Sequence, residues 1–164
     1  MAPQTPWRSG RTVGAVTPLD VAALEGALGH RFADHGLLER ALTHASYVNE
    51  HPPLIAQDGL AFVGDAALGL VVAERLLARE PAAPVGVLTP GRAALVSGAN
   101  LARWGAELGL GAMVRLGRGE QQTGGRDRES ILATTLEAVL GALYLEVGLD
   151  AVRRVVDRLA GDAP

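Results

Sequence analysis

Gln57-Asp58-Gly59-Leu60-Ala61-Phe62-Val63-Gly64-Asp65 opens a run that stays largely apolar to Ala78, with a further glycine at position 69. A glycine in a helix interior costs about 1 kcal/mol relative to alanine, so this spacing makes sense where a second helix packs close. The pattern predicts a long helix over about Asp58 to Arg79, and positions 61 and 65, four apart, then share one face. A second stretch, Glu129-Ser130-Ile131-Leu132-Ala133-Thr134-Thr135-Leu136-Glu137-Ala138, continues through Val139, Leu140, Leu143, Tyr144 and Val147 with a sustained apolar face. Positions 134 and 137 share a face there. Packing the two helices side by side brings the side chains at 61, 65, 134 and 137 together.

Toward the N-terminus, Val21, Leu24, Ala27 and Leu28 have helical spacing from Asp20 and stop near Gly29, as a helix often does at glycine. A second helix is expected over about Asp34 to Ser46, after which His51-Pro52-Pro53 imposes an extended connection. Thr89-Pro90 reads as a helix start, with threonine as cap and proline in the first turn, leading into Ala93, Leu95, Val96, Leu101 and Trp104. Arg118 to Asp127, with Gly119, Gly124 and Gly125 among polar residues, reads as a loop. Gly148 ends the second core helix and Asp150 can cap the last one. No alternating strand pattern is found, so the fold class is all-α. Residues 1–17 carry Pro3, Pro6, Gly10 and Gly14 without periodicity and read as a disordered arm, leaving 18–161 as the helical domain.

The chain has 164 residues, 48% of them hydrophobic, which suits one core rather than two. Without cysteine it has no disulfide framework or thiolate zinc site, and no N-terminal segment has the form of a signal peptide. A cytoplasmic protein is the simplest expectation. Leu60 to Ala78 raises the question of a membrane span, but Asp65, Glu74 and Arg75 interrupt it, each costing about 2.5–3.5 kcal/mol at a bilayer centre. All 15 basic residues are arginine and the net charge is −3, which speaks against non-specific coating of nucleic acid. His30, His35, His44 and His51 lack zinc-motif spacing. The glycines near 119–125 are not followed by the Gly-Lys-Ser/Thr of a P-loop.

Five blocks occur in one order: Leu42-Thr43-His44-Ala45-Ser46-Tyr47, the helix opening at Asp58, Arg92-Ala93-Ala94-Leu95-Val96, Gly119-Glu120-Gln121-Gln122-Thr123-Gly124-Gly125, and Arg128 through Ala133. Together they resemble the ribonuclease III family over roughly residues 20 to 160. The resemblance implies an all-helical endonuclease domain that forms homodimers and hydrolyses double-stranded RNA with Mg²⁺, or Mn²⁺ in its place. It also implies that carboxylates of the two core helices hold the metal. Asp65 and Glu137 match two of these acids, whereas Ala61 stands where the family has glutamate and Thr134 where it has aspartate. Asp58 takes a position where glutamate is usual, and Val85 lies near that of another frequent acid. Phe62 matches an aromatic at the dimer contact, and His44 a residue that orients the helix pair. Arg115, Arg118, Arg126 and Arg128 surround the glycine-rich segment as candidate RNA contacts. No double-stranded-RNA-binding domain follows, although most bacterial members carry one, so RNA affinity is expected to be lower.

A methyl group cannot ligate a metal, and threonine offers one neutral oxygen. Mg²⁺ would then rest on Asp65, Glu137 and water, which its chemistry allows but which predicts weak or absent binding. Asp58 lies two turns, or about 10 Å, from Asp65 along the helix, so sharing one ion would require water bridges or local unwinding. The same two acids could instead be structural, paired with arginine in a half-buried cleft. The leading expectation is a catalytically impaired domain that still binds double-stranded RNA. An active Mg²⁺-dependent endoribonuclease and a non-enzymatic ribonucleoprotein or heterodimer module are the alternatives.

Overall fold

The computed structural model describes residues 18–161, so the N-terminal arm expected over 1–17 lies outside the described residues. Ten α-helices follow one another: α1 (Pro18–Leu28), α2 (His35–Ala41), α3 (Ala45–Glu50), α4 (Asp58–Arg79), α5 (Val85–Leu95), α6 (Gly98–Glu107), α7 (Leu110–Met113), α8 (Arg118–Gln122), α9 (Glu129–Val147) and α10 (Leu149–Ala160). No strand occurs among the described residues, and the one isolated β-bridge joins Thr43 and Arg115. The fold is all-α, as the periodicity predicts.

Helix α9 is the centre of the core, with α4, α6, α2 and α10 packed around it. Its Ile131, Leu132, Leu136, Val139, Leu140 and Leu143 are buried, which is why it is apolar on almost every side. Among the described residues it is the helix long and apolar enough to cross a membrane, in place of the segment around α4 to which the sequence drew attention. Burying a leucine-sized side chain contributes about 1.5–3 kcal/mol, so this helix anchors the fold. Gly148, at φ +84°, ends it in a conformation that disfavours a side chain.

Helix α4 buries Leu60, Ala61, Gly64, Ala67, Leu68, Val71 and Val72 and leaves Phe62, Leu70 and Leu77 exposed on the other side. It meets α9 at backbone contact: a Cβ at Gly64 would lie 1.8 Å from the Glu137 carbonyl oxygen, and one at Gly141 would lie 2.0 Å from that of Leu60. At the far end of α9, Glu146 accepts from the backbone N–H groups of Ala33 (2.7 Å) and Asp34 (3.0 Å) and lies 2.9 Å from His30. This ties the α1–α2 connection to the central helix.

Four boundaries differ from the sequence expectation. The helix expected over Asp34 to Ser46 is split into α2 and α3, because Arg115 accepts from His44 N–H (3.1 Å) and donates to Leu42 C=O (2.7 Å), drawing the intervening backbone into a bridge. Helix α5 starts at Val85 and contains Pro90, since the Pro84 carbonyl already accepts from Val87 (2.9 Å) and Leu88 (3.2 Å). The helix expected to run on to Trp104 breaks at Val96, and Ser97 caps α6 by accepting from Asn100 N–H at 3.3 Å. The expected loop at 118–127 contains α8 and a 3₁₀ turn over Gly125–Asp127. In addition, Asp150 lies in the first turn of α10 rather than at its cap, which is Gly148.

Candidate active site

Asp65 and Glu137 flank the α4–α9 crossing, one residue from Gly64 on α4 and at the carbonyl that Gly64 touches on α9. The glycine contact therefore sets how closely the two acids approach. Asp65 is exposed and Glu137 half-buried. Burial, reinforced by the negative charge of Asp65, pushes the Glu137 carboxyl up from its ordinary 4.5 to about 7. The two acids thus sense each other electrostatically, as the sequence spacing anticipates.

Ala61, 6% exposed, belongs to the hydrophobic core, and Thr134 is half-buried one turn before Glu137. Asp58 is exposed in the first turn of α4. Among the described residues, no group of three or more His, Asp or Glu side chains is gathered closely enough to hold a metal ion, so Asp58 does not complete a cluster with Asp65 and Glu137. Two carboxylates, one of them half-protonated near neutral pH, do not fit a metal centre closed by protein acids. Beneath the pair, Thr135 donates to Gln57 Oε1 at 3.4 Å, both fully buried, and so links the start of α4 to α9. The sequence offered little sign of that bond, since 78 residues separate its ends.

The four arginines around the glycine-rich segment have varied surroundings. Arg115 forms an ion pair with Glu39, donates to the Tyr47 hydroxyl (3.1 Å) and lies 4.4 Å over the Tyr47 ring. Arg126 donates to the carbonyls of Gly111 (2.8 Å), Ala112 (3.2 Å) and Val114 (3.1 Å). Arg128 pairs with Glu120 and donates to Thr123 Oγ1 (3.0 Å). Arg118 is 3.5 Å from Glu50 with its side chain 89% exposed, which makes it the most accessible of the four. His44 accepts from Ser46 N–H at 3.2 Å, and the Ser46 hydroxyl in turn accepts from Gly117 N–H at 2.9 Å. This chain docks the glycine-rich segment on α3. Phe62, 80% exposed, stands on the outer side of α4 close to the acids.

Burial of the Glu137 carboxyl couples folding stability to pH. Its ionised form is disfavoured in the folded state, so the folded-state advantage present below about pH 4.5 is lost as pH rises through about 7. Glu137→Gln, neutral throughout, should therefore melt above the parent chain at about pH 8 in EDTA, with the difference shrinking toward about pH 4. Thermal unfolding followed by circular dichroism across that range checks it. A difference that grows toward acid pH would reverse the assignment.

Comparison with known proteins agrees with this arrangement. The family described as Ribonuclease-III-like matches residues 34–162. Ribonuclease 3 of Streptomyces coelicolor is 52% identical over 136 residues, which cover 83% of this chain and 49% of that protein. Ribonuclease 3 of Syntrophobacter fumaroxidans is 48% identical over 139 residues, covering 84% and 57% respectively. The chain thus spans about half the length of these relatives. Among solved structures, the nuclease domain of Ribonuclease III from Campylobacter jejuni, described for structural flexibility in a region involved in dimer formation, superposes with a TM-score of 0.79. It is 36% identical, and the match covers 85% of this chain and 94% of that one. An all-helical core crossed at Gly64 and Gly141, an acid on each side of the crossing and these matches across most of the chain place it in the ribonuclease III-like family.

Proposed function

We propose that the chain binds double-stranded RNA as a homodimer and is impaired in cleaving it. The carrying observation is the isolation of Asp65 and Glu137: a buried methyl at 61 and a hydroxyl at 134 occupy the other two positions of the cleft. Phosphodiester hydrolysis asks for groups that stabilise charge on the reacting phosphate, and Mg²⁺ supplies that chemistry when several hard oxygens hold it. Two acids leave most of the coordination to water, so affinity for Mg²⁺ or Mn²⁺ is expected to be weak. The deciding experiment is duplex cleavage by the chain beside its Ala61→Glu/Thr134→Asp double variant.

The second reading is an active Mg²⁺-dependent endoribonuclease. It is favoured by the proximity of Asp65 and Glu137 and by 52% identity to Ribonuclease 3 of Streptomyces coelicolor. Robust metal-dependent cutting by the parent chain is what that reading requires.

The homodimer reading is supported by large apolar side chains left exposed on α4 and α5. Phe62, Leu70 and Leu77 recur along α4, and Val85 (74% exposed) and Val87 add to them from α5. In a two-fold interface each residue acts twice, so a charge at position 62 would be buried twice. Phe62→Asp should raise the dimer dissociation constant at least about 100-fold. Sedimentation equilibrium checks it, and an unchanged dimer would remove Phe62 from the contact.

A further inference from the structure

A groove runs between α4 and α5 directly from the acidic cleft. Asp65, Gly69 and Ala73, at four-residue spacing, line it from α4, and Thr89 and Arg92 of α5 face them, with Val96 just past the end of that helix. Ala66, Gly69 and Ala73 keep the α4 wall low beside Asp65, and Leu70 borders the groove toward the apolar face of α4. Arg92 is exposed, and its guanidinium makes no ion pair or hydrogen bond with any described residue. That distinguishes it from Arg115, Arg126 and Arg128, whose guanidinium groups are engaged by Glu39, backbone carbonyls and Glu120.

We propose that Arg92 is a phosphate-binding residue, seating one backbone phosphate of duplex RNA in the α4–α5 groove beside Asp65, with the Thr89 hydroxyl as a second donor. The inference rests on the reading that this chain binds double-stranded RNA. Its warrant is charge complementarity within the cleft. A phosphate approaching two carboxylates is repelled unless a cation stands beside them, and a metal held weakly does not reliably supply one. Arg92 places a permanent positive charge on the same groove, and its planar fork matches two phosphate oxygens. Thr89 is three residues earlier on the same helix and so shares that face. With only two acids in the cleft, one guanidinium offsets a large part of the negative charge there. RNA can then be held without a divalent ion.

The test is fluorescence anisotropy of the chain with a long blunt-ended RNA duplex in EDTA over a range of salt, with sedimentation of each variant in parallel. Arg92→Ala should weaken binding about tenfold and flatten the salt dependence by about one counterion, equally across RNA sequences. Arg92→Lys should regain part of the affinity and the full salt slope, because it keeps the charge and loses the fork. Equal affinity of Arg92→Ala and the parent overturns the proposal and leaves RNA binding intact. Loss of affinity together with dissociation into monomers also overturns it, since the groove would then seat a second copy of the chain. Failure of the parent chain to bind duplex RNA at any salt overturns both the proposal and the reading beneath it.

Discussion

Gly64→Ala should cost the chain about 3 kcal/mol or more, at the upper end of what overpacking a core does. For a chain of this size that corresponds to a fall of roughly 6–12 °C in melting temperature. The added Cβ would stand 1.8 Å from the Glu137 carbonyl oxygen and 2.7 Å from its carbonyl carbon. Both are backbone atoms, so no rotamer change relieves the overlap and the two core helices must separate. Gly141→Ala meets the reciprocal obstacle, 2.0 Å from the Leu60 carbonyl oxygen. Gly69, on the same helix, has nothing within 4 Å of a built Cβ, and Gly69→Ala should be neutral or stabilising by up to about 1 kcal/mol. Urea denaturation of the three variants separates close packing from helix propensity. If Gly64→Ala unfolds with the parent, α4 and α9 are not in backbone contact, and the approach of Asp65 to Glu137 loses its cause.

Much of this was legible in the sequence because it depends on local spacing. The apolar period and the glycines at 59, 64 and 69 define α4 with the bounds Asp58–Arg79, and the run from Ile131 to Val147 defines α9. The pairing of Asp65 with Glu137 follows once those helices pack together. What the sequence could not convey depends on long-range partners. The break at Leu42–His44 is made by Arg115, and the Arg115 guanidinium is taken by Glu39, 76 residues away. Read locally, Arg115 and Arg128 are simply cations near a glycine-rich segment. In the structure, Glu39 and Glu120 pair with them and fasten that segment in place. Conversely, Arg92 drew attention only as part of an alanine-rich block, because the lack of a partner shows only in three dimensions. Thr89-Pro90 misled for a related reason. Its cap chemistry is sound, but Pro84 starts the helix one turn earlier.

The largest effect on activity is expected from restoring two carboxylates. Thr134→Asp adds a carboxylate at a half-buried position one turn from Glu137, so in the absence of a divalent ion its repulsion from the two acids should cost some stability. Ala61→Glu is more demanding, because residue 61 is 6% exposed and the glutamate must extend from the core edge toward Asp65, one turn on. Some loss of stability is therefore expected, and circular dichroism should confirm that the double variant remains folded. With four acids around the crossing, the cleft has the hard oxygens that Mg²⁺ requires. Losing a single charge-stabilising group typically lowers a rate by about 10²–10³, and groups that act as a unit do not contribute independently. Restoring both should raise the cleavage rate by at least about 10³, while either single substitution should yield much less.

Single-turnover cleavage of long duplex RNA, with Mg²⁺, Mn²⁺ or EDTA, decides whether Asp65 and Glu137 alone can support hydrolysis. The parent chain should bind the duplex but leave it essentially intact in either metal, while Ala61→Glu/Thr134→Asp should cut it in a metal-dependent manner. Rapid metal-dependent cutting by the parent chain, abolished by Glu137→Gln and not increased by the double substitution, would contradict the proposed impairment.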